Sequence, residues 1–440
     1  MPDATADGSD VVTELIIDPT AARFAEQWVG YAREAQTFMV MNVGESVAPD
    51  LRAELTGEGA ADYVIEANEC RTLEPSASCA LAVAFAPRAG GTRTATLEVR
   101  SGTGVARAEL SGIGMDPNDY NRVFVSSESL SMLLGSPEAY DAECNRLATA
   151  AGINGPEQDA FIAWFSSRDS PVSERLGDAR GFVRMDGRAF ADDLLAGEVM
   201  RGVEFNEYGE RLDPETIVVT GSQGDGSVSV NTCRNWDSTR FGAGAGRADA
   251  GPRLWTLGIG ASCSIRWPIY CVETRKRREL IPPRHPGRAM YVTNAGFEEY
   301  ESPEEACEAS KPAGAGSVLP LVARTGTVAA DIVNRSATYV RPDGIVVGTG
   351  VELVEGRWRT GVWQQGDGAY PSEGYAAWTG SPRIDAPGNE TCSDWTSTDR
   401  EIRGHSGVPA APGGDTFWRR GDLGRRCSTS GLRFYCIETD

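Results

Sequence analysis

The chain has 440 residues, 40% of them hydrophobic, and a formal charge of −21, which leaves room for about two to four domains with packed cores. The excess of acid disfavours nucleic acid and anionic membranes as partners, because binding them requires clustered Lys and Arg. No apolar window of about 18 residues occurs, so the sequence predicts no membrane span.

The N-terminal part predicts a short lead-in followed by one small β domain. Residues 1–12 are polar, with neither the basic start nor the apolar core of a signal peptide, and we expect them to be disordered. From 13 to 115, short alternating runs separated by Gly, Pro and polar turns predict the strands of a small sandwich. These runs are TFMVMNVG (37–44), ALAVAFAP (80–87), TATLEVRS (94–101) and ARAELSGIG (106–114). Cys70 and Cys79 flank LEPSAS, so a disulfide between them would close a loop.

The segment 13–115 also resembles a known family. FMVMNVGE, then CRTLEPSASCALAVAFAPRAGGTRTATLEVRS, and a closing LSGIG resemble the immunoglobulin-like "choice-of-anchor" modules of bacterial surface proteins, which are related to the ASPM/SPD-2/hydin class. The resemblance covers nearly the whole segment. It implies a spacer or interaction module that performs no catalysis.

The rest of the chain is an internal duplication. One copy spans 118–275 and the other 288–440. The intervening linker, 276–287, is rich in Arg and Pro, and we expect the basic run 275–278 to be solvated. Six stretches match: RVFVSS (122–127) with AMYVTN (289–294), SPEAYDAEC (136–144) with SPEEAC (302–307), FVRMDG (182–187) with YVRPDG (339–344), ETIVVTGS (215–222) with EGYAAWTGS (373–381), NTCRNWDST (231–239) with ETCSDWTST (390–398), and IYCVET (269–274) with FYCIET (434–439). Ser136 and Ser302 are expected to cap helices, because Pro and Glu follow each.

Ten cysteines, grouped two, four and four along the chain, predict disulfides in an exported protein, since reducing compartments do not maintain such frameworks. Zinc is the alternative, but zinc sites usually use CxxC pairs or histidines. The chain contains no CxxC, and its only histidines are His285 and His405. Spacing alone leaves three pairings open in each copy. We expect an extracellular or cell-surface protein whose signal is not present in this sequence.

Each copy opens with a strand and a helix that carries the first cysteine, and ends in a strand that carries the last. This order resembles the C-type-lectin-like fold. TCxxW and the final Trp-then-YC ending more closely resemble the endostatin-like, lectin-like repeats of uncharacterised bacterial surface lipoproteins. The resemblance implies the pairs Cys144–Cys271, Cys233–Cys263, Cys307–Cys436 and Cys392–Cys427. The expected fold class is therefore multidomain: an all-β immunoglobulin-like sandwich followed by two α+β C-type-lectin-like domains.

The resemblance bears on calcium as well. Sugar-binding C-type lectins hold calcium through Glu-Pro-Asn or Gln-Pro-Asp and through Trp-Asn-Asp, whose oxygen ligands also bridge to sugar hydroxyls. Neither of the first two triplets occurs here, and Trp255-Thr256-Leu257 and Trp418-Arg419-Arg420 stand in place of the last. We therefore expect no required cofactor, with calcium left open. The candidate ligand-binding residues surround the inner cysteines, and the alternative is that they only form turns. They are Asp225, Asn231, Asn235 and Asp237, and Asp385, Asn389, Glu390 and Asp394.

Catalytic sites are not expected, because neither histidine has a counterpart in the other copy and every cysteine has a plausible partner. GAGAGR (242–247) lacks the strand and helix of a phosphate-binding loop and predicts a flexible loop. Asp186 and Asp343, each before Gly, predict turns. Trp236 and Trp395 are expected beside the inner disulfides, and Trp255 and Trp418 in the cores, with sugar stacking as the alternative.

The sequence thus predicts a binding or adhesion protein of the bacterial surface that recognises a glycan or a protein through loops of its lectin-like domains. The alternative is a structural subunit that binds neighbouring copies of itself in an appendage or surface layer. An enzyme is a third hypothesis, because the lectin-like fold occasionally hosts catalysis, and the scarcity of histidine argues against it.

Overall fold

The computed structural model of the chain describes residues 14–24, 27–30, 35–102, 104–156, 158–282, 284–371, 376–410, 418 and 424–439. The lead-in predicted for 1–12 lies outside these residues. Two compact units are present, Met1–Asp119 and Tyr120–Asp440. The second unit contains both sequence repeats. The finer boundaries at 275 and 288 stay predictions.

The first unit is a β-sandwich of the immunoglobulin-like kind. Its strands are β1 Leu15–Asp18, β2 Ala21–Arg23, β3 Gln27–Trp28, β4 Gln36–Asn42, β5 Arg52–Thr56, β6 Tyr63–Asn68, β7 Ser78–Phe85, β8 Gly91–Ser101 and β9 Gly104–Met115. They form one sheet of order β1-β4-β7-β6 and another of order β2-β9-β8-β5, with β3 added to β9. Alternate residues of β4 and β7, such as Phe38, Val40, Leu81 and Val83, are fully buried between the sheets, as the period of two requires.

The second unit is built mostly of short strands and loops, with few helices. The first repeat contains β10 Asn121–Val125, α1 Pro137–Ala150, β11 Phe161–Ala163, α2 Val172–Arg175, β12 Phe182–Arg184, β13 Ala189–Ala191, β14 Ile217–Val219, α3 Cys233–Trp236, β15 Gly242–Arg247, β16 Ile259–Ser262 and β17 Tyr270–Glu273. The second contains β18 Arg288–Val292, α4 Pro303–Ala309, β19 Val318–Pro320, β20 Thr338–Val340, β21 Val346–Thr349, α5 Gly350–Val354, β22 Ala377–Trp378, α6 Cys392–Trp395, β23 Arg403–Gly404, β24 Ser406–Gly407, β25 Arg425–Arg426 and β26 Arg433–Glu438.

In both repeats the closing strand pairs with the opening strand. β17 runs antiparallel to β10, with Cys271 opposite Phe124, and β26 runs antiparallel to β18, with Cys436 opposite Tyr291. IYCVET and FYCIET are therefore central, buried strands. The same closing strands pair on their other side with β11 and β19, so the two copies have the same framework.

Five disulfides join all ten cysteines, and no free cysteine is present. The outer pairs are Cys144–Cys271 and Cys307–Cys436, and the inner pairs are Cys233–Cys263 and Cys392–Cys427. Cys70–Cys79 closes the loop of the first unit. Of the three pairings that spacing allowed in each repeat, the structure contains the one that the lectin-like resemblance implied.

The two repeats contact each other within the second unit. Trp363 Nε1 of the second repeat donates to the Val199 carbonyl of the first at 2.7 Å, and Gly251 N donates to the Ala410 carbonyl at 2.8 Å. Gly251 lies so close to the Trp363 ring that an added Cβ would stand 2.3 Å from it. The repeats are thus packed against each other directly.

Described residues of the segment between the repeats contact both of them. Leu280 is buried and its amide donates to Asp192 Oδ1 at 2.7 Å, while His285 N donates to the Gly344 carbonyl. The basic run is exposed at Arg277 and Arg278, as expected, whereas Lys276 is only partly exposed and pairs with Glu273, and Arg277 pairs with Asp178. Nearby carboxylates neutralise these side chains, although Arg277 remains exposed.

The prediction of a flexible loop at GAGAGR was wrong. Residues Gly242–Arg247 form β15, the middle strand of the sheet β14-β15-β16. The reason is close packing: a Cβ on Gly246 would lie 2.1 Å from the Trp255 carbonyl oxygen. Small residues are required there, and their weak strand propensity conceals the strand from sequence patterns. Across the described residues, no helix is long and apolar enough to cross a membrane.

Candidate functional site

A groove of about 570 Å³ lies in the second repeat. Its floor contains Trp358, Trp418 and Ile384, whose side chains reach the surface only at their edges, since 9%, 6% and 6% of each residue is exposed. The two indoles flank Tyr435 of the closing strand, with ring centroids 6.4 and 6.3 Å from the tyrosine ring. Pockets of this size with an apolar floor and a few polar groups are typical of small-ligand sites.

The rim of the groove is charged. Arg335 and Glu355 are exposed on one part of it, and Arg383 and Asp385 on another. Arg383 Nε donates to Asp385 Oδ1 at 2.8 Å, and the hydrogen bonds from Arg383 lower the pKa of the Asp385 carboxyl. Because exposed ion pairs contribute little to stability, both side chains are available to exchange this contact for a ligand.

The corresponding region of the first repeat is filled. Trp164, at the position that Leu321 holds in the second repeat, packs on Trp255 with a centroid separation of 4.9 Å. Trp164 Nε1 donates to Thr256 Oγ1 at 2.9 Å. Both tryptophans are fully buried. The groove thus results from a difference between the copies: a leucine replaces Trp164, and Trp358 replaces Val199.

Two of the predicted ligand-binding residues occupy equivalent places and hold the fold. Asn235 Oδ1 accepts from the Arg168 amide at 2.8 Å, and Asp394 Oδ1 accepts from the Thr325 amide at 2.7 Å. The bond from Thr325 lowers the pKa of Asp394. These contacts tie the TCxxW segment to the loop after β11 or β19, which gives both side chains a structural role.

The other predicted residues are dispersed. Asp225 accepts from the Ser227 amide in a turn, at 2.9 Å. Asn231, Asp237 and Asn389 are exposed. Of the eight candidates, Asp385 is the one that lines the groove. These positions do not decide whether any of the eight binds a ligand, so that role stays a prediction.

Glu390 lies beside one of the two histidines. Its Oε2 is 3.7 Å from His405 Nε2, beyond hydrogen-bonding distance, and it is buried without a hydrogen-bond partner among the described residues. His405 is 5% exposed. Within the same residues, no three His, Cys, Asp or Glu side chains form a group suited to a metal ion.

The TCxxW motif forms one turn of left-handed helix in each repeat. Cys233, Arg234, Asn235 and Trp236 have φ between 50° and 66°, and the four residues from Cys392 to Trp395 have φ between 50° and 67°. Left-handed helical backbone costs L-residues roughly 1–2 kcal/mol each. Four such residues in a row persist only where neighbouring contacts impose the conformation.

Those contacts are the same in both copies. The hydroxyl of the preceding threonine caps the turn, as Thr391 Oγ1 does for the Asp394 amide at 3.1 Å. Trp236 Nε1 donates to the Ser166 carbonyl at 2.9 Å, and Trp395 Nε1 to the Ala323 carbonyl at 3.3 Å. Trp236 and Trp395 belong to the same buried clusters as the inner disulfides, which confirms that prediction. Trp255 and Trp418 are likewise in the cores, as predicted.

A second depression, of about 540 Å³, lies in the first unit over strands β2, β8 and β9. Arg23, Glu58 and Glu109 are among its charged lining residues, and Thr94 and Thr96 contribute hydroxyls. It has no aromatic side chain in its lining. Compared with the groove of the second repeat, it offers less apolar surface to a ligand.

No protein-family model matches the chain, and no curated protein matches it. Among solved structures, the chain is similar to the ASH/PapD-like domain 7 of human CEP192, at 15% identity and a TM-score of 0.19, over 26% of this chain and 95% of that one. It is also similar to the CARDB domain of a Pyrococcus furiosus protein, at 17% identity and a TM-score of 0.17, over 23% and 94%.

A third solved structure is the secreted serine protease VesC of Vibrio cholerae, at 12% identity and a TM-score of 0.18, over 59% of this chain and 46% of the protease. At such TM-scores none of these similarities carries an argument about function. The class of protein is therefore set by the chain's own architecture: a disulfide-bonded, mostly β protein with an immunoglobulin-like sandwich and a duplicated second unit.

Four of the groove residues were not predicted from the sequence: Arg335, Glu355, Trp358 and Arg383. One signal was present. The TGVW stretch of the second repeat aligns with RGVE of the first, and this alignment places Trp358 opposite Val199. An aromatic residue in one copy facing an aliphatic residue in the other marks a position where the copies diverge.

Proposed function

We propose that the chain is an exported, cell-surface or secreted binding protein that recognises a glycan or a protein side chain in the groove of its second repeat. The observation that carries the proposal is the groove itself: indole edges on the floor and exposed arginine and carboxylate side chains on the rim. Indole rings combine apolar area with a polar edge and suit sugar rings, while Arg and Asp hydrogen-bond to hydroxyl or amide groups.

The finer family assignments belong to the same proposal. The disulfide pairing and the antiparallel pairing of opening and closing strands support a lectin-like fold for both repeats. The two-sheet sandwich supports a choice-of-anchor module that acts as a spacer. Five disulfides support an oxidising compartment, and hence an extracellular location.

A glycan array tests the proposal, with calcium and with a chelator. We expect wild-type protein to bind a restricted set of glycans, and the double variant Arg383→Ala/Asp385→Ala to lose at least tenfold in affinity for them. Arg400→Ala/Glu401→Ala is the matched control, because it removes an exposed ion pair of the same repeat that does not line the groove, and it should bind like wild type. Absence of binding in both conditions would contradict glycan recognition. Concentration-dependent self-association in light scattering would instead favour the structural-subunit alternative.

A further inference from the structure

Two buried arginines occupy equivalent positions in FVRMDG and YVRPDG. Arg184 Nη1 donates to the Gly202 carbonyl at 3.0 Å, and Arg341 Nη1 donates to the Gly361 carbonyl at 3.2 Å. Each also has a carboxylate two residues later: Arg184 pairs with Asp186 and Arg341 with Asp343. Their side chains are 5% and 0% exposed. A carboxylate of the same repeat therefore neutralises each of the two charges.

Arg341 reaches further, into the other repeat. Its Nη2 donates to the Met200 carbonyl at 2.6 Å. The tripeptide 200–202 is thus held from both sides, by Arg341 at Met200 and by Arg184 at Gly202. Arg201 is the residue between these two contacts, so its backbone is fixed at the boundary where the repeats meet.

The side chain of Arg201 has few hydrogen-bonding or charged partners. Its Nη1 donates to the Ala189 carbonyl at the long distance of 3.4 Å, and it has no ion pair with any described residue. A guanidinium has five N–H donors, so most of its hydrogen-bonding capacity is unused. Part of the residue is nevertheless exposed to solvent.

The neighbouring carboxylates are already engaged. Glu204 pairs with Arg184 and Arg211, and Asp343 Oδ2 accepts from both Arg341 and the Tyr370 hydroxyl. Burial, together with repulsion from Arg184, Arg341 and Arg188, lowers the pKa of Arg201 to about 9. Asp343 opposes this lowering, but its carboxylate is already paired with Arg341, and at neutral pH the Arg201 side chain is still charged.

We propose that Arg201 anchors an oxyanion-binding site at the boundary between the two repeats, and that the site accepts a carboxylate or sulfate group. Planar guanidinium groups bind such groups through two parallel hydrogen bonds. The added negative charge offsets the repulsion among the arginines. The site belongs to one copy only, because Thr360 occupies the position equivalent to Arg201 in the second repeat. The equivalence follows from the residues four positions later, Phe205 and Gln364. Their carbonyls accept from the amides of Val125 and Val292, which are equivalent residues of the two opening strands.

NMR of the arginine Nε–Hε groups tests the site in the full chain. Sodium sulfate and sodium acetate are titrated at constant ionic strength, with chloride as the reference. We expect a saturable shift of the Arg201 signal in wild-type protein, and at least a tenfold weaker apparent affinity in Arg201→Gln. Arg240→Gln, which removes an exposed arginine outside the cluster, should titrate like wild type. No saturable shift with either anion, or an unchanged affinity in Arg201→Gln, would overturn the proposal.

A second pair of titrations separates the two sources of the anion. A sulfated disaccharide that binds at least tenfold more tightly than inorganic sulfate, and that loses this advantage in Arg201→Gln, would show that the site reads an anionic group on a larger ligand. Equal affinities would show a site for the free ion. Both results support the oxyanion site. If Arg201→Gln folds poorly by circular dichroism, the titration of wild type and of Arg201→Lys still decides the matter, because Lys keeps the charge and loses the bidentate geometry.

Discussion

Trp363 donates its indole N–H to the carbonyl of Val199, at 2.7 Å, across the boundary between the two repeats. The Arg341 guanidinium stacks on the same ring, 4.6 Å from its centroid. One side chain therefore joins the backbone of the first repeat to the buried ion pair of the second. This arrangement predicts that the repeats unfold together and not one after the other.

The first prediction concerns this contact. Trp363→Phe leaves the buried Val199 carbonyl without a donor, and we expect a loss of about 1–3 kcal/mol in the free energy of unfolding. Native-state hydrogen exchange should report faster opening in both repeats. Trp267→Phe, which removes a solvent-exposed indole bond to Ser262 within the first repeat, serves as the control and should change stability and exchange much less than Trp363→Phe does. Faster exchange confined to the second repeat in Trp363→Phe would contradict the coupling.

The left-handed turns give a second prediction, in which glycine stabilises. Ser393 is exposed and has φ of 57°, a conformation that glycine adopts without a Cβ penalty. Ser393→Gly should therefore raise the free energy of unfolding by up to about 1 kcal/mol, which is the relief of strain less the entropy gained by the unfolded chain.

The matched change is Ala142→Gly, at an exposed position of the right-handed helix α1. It should lower the free energy of unfolding by about 1 kcal/mol. Urea denaturation of the two variants and of wild type measures both effects. A loss of stability in Ser393→Gly equal to that in Ala142→Gly would mean that the turn is not strained.

The disulfides give a third prediction, from loop length. Cys307 and Cys436 are separated by 129 positions, and Cys70 and Cys79 by nine. In the chain-entropy model, removing the long-range pair costs about 5 kcal/mol and removing the short-range pair about 2.5 kcal/mol. Double Cys→Ser variants of each pair, compared by guanidinium denaturation, test this ranking. A larger loss from the Cys70/Cys79 variant would reverse it, and non-reducing peptide mapping checks the pairing itself.

A fourth prediction concerns the stability of the fold at acidic pH. Burial raises the pKa of Asp186, but the hydrogen bond and charge of Arg184 outweigh it and hold that pKa below its usual range. Because the folded-state pKa is lower than the unfolded one, the pair stabilises the fold above about pH 4, and this contribution is lost as the pH falls further.

Asp186→Asn should therefore be less stable than wild type at pH 7, and the difference should narrow as the pH falls from about 5 to 3. Melting temperatures over this range provide the measurement. Asp169→Asn, which changes an exposed carboxylate, is the control and should follow wild type throughout. A gap between Asp186→Asn and wild type that stays constant or widens with acid would show that Asp186 does not act through its charge.

The sequence predicted the framework of the molecule, because that framework depends on periodic and paired features. The alternation in β4 and β7, the Ser302 cap of α4, whose hydroxyl accepts from the Glu305 amide at 3.1 Å, and the duplicated YC strands are all local patterns. Ser136 occupies the N-cap position of α1 as predicted, but its side chain makes no capping hydrogen bond. The inner and outer disulfides followed from the order of the cysteines once the lectin-like resemblance selected one pairing.

The sequence did not predict what depends on contacts between distant segments. β15 was not predicted because the backbone of Trp255 lies so close that only glycine fits at position 246, and no local pattern reveals that contact. The groove was not predicted because it depends on the smaller volume of Leu321 compared with Trp164, its equivalent in the first repeat. Arg201 was missed because an arginine in an exposed-looking stretch reveals neither its neighbours nor its lack of a carboxylate.

The pairing of β10 with β17, and of β18 with β26, brings the two ends of each repeat side by side. The residues between them form loops and short elements that begin and end at this strand pair, and the outer disulfide joins each strand pair to its helix. Insertions, deletions and substitutions in these loops therefore leave the register of the strand pair unchanged. One copy therefore has a groove where the other has a sealed core, and the same scaffold presents two unlike surfaces.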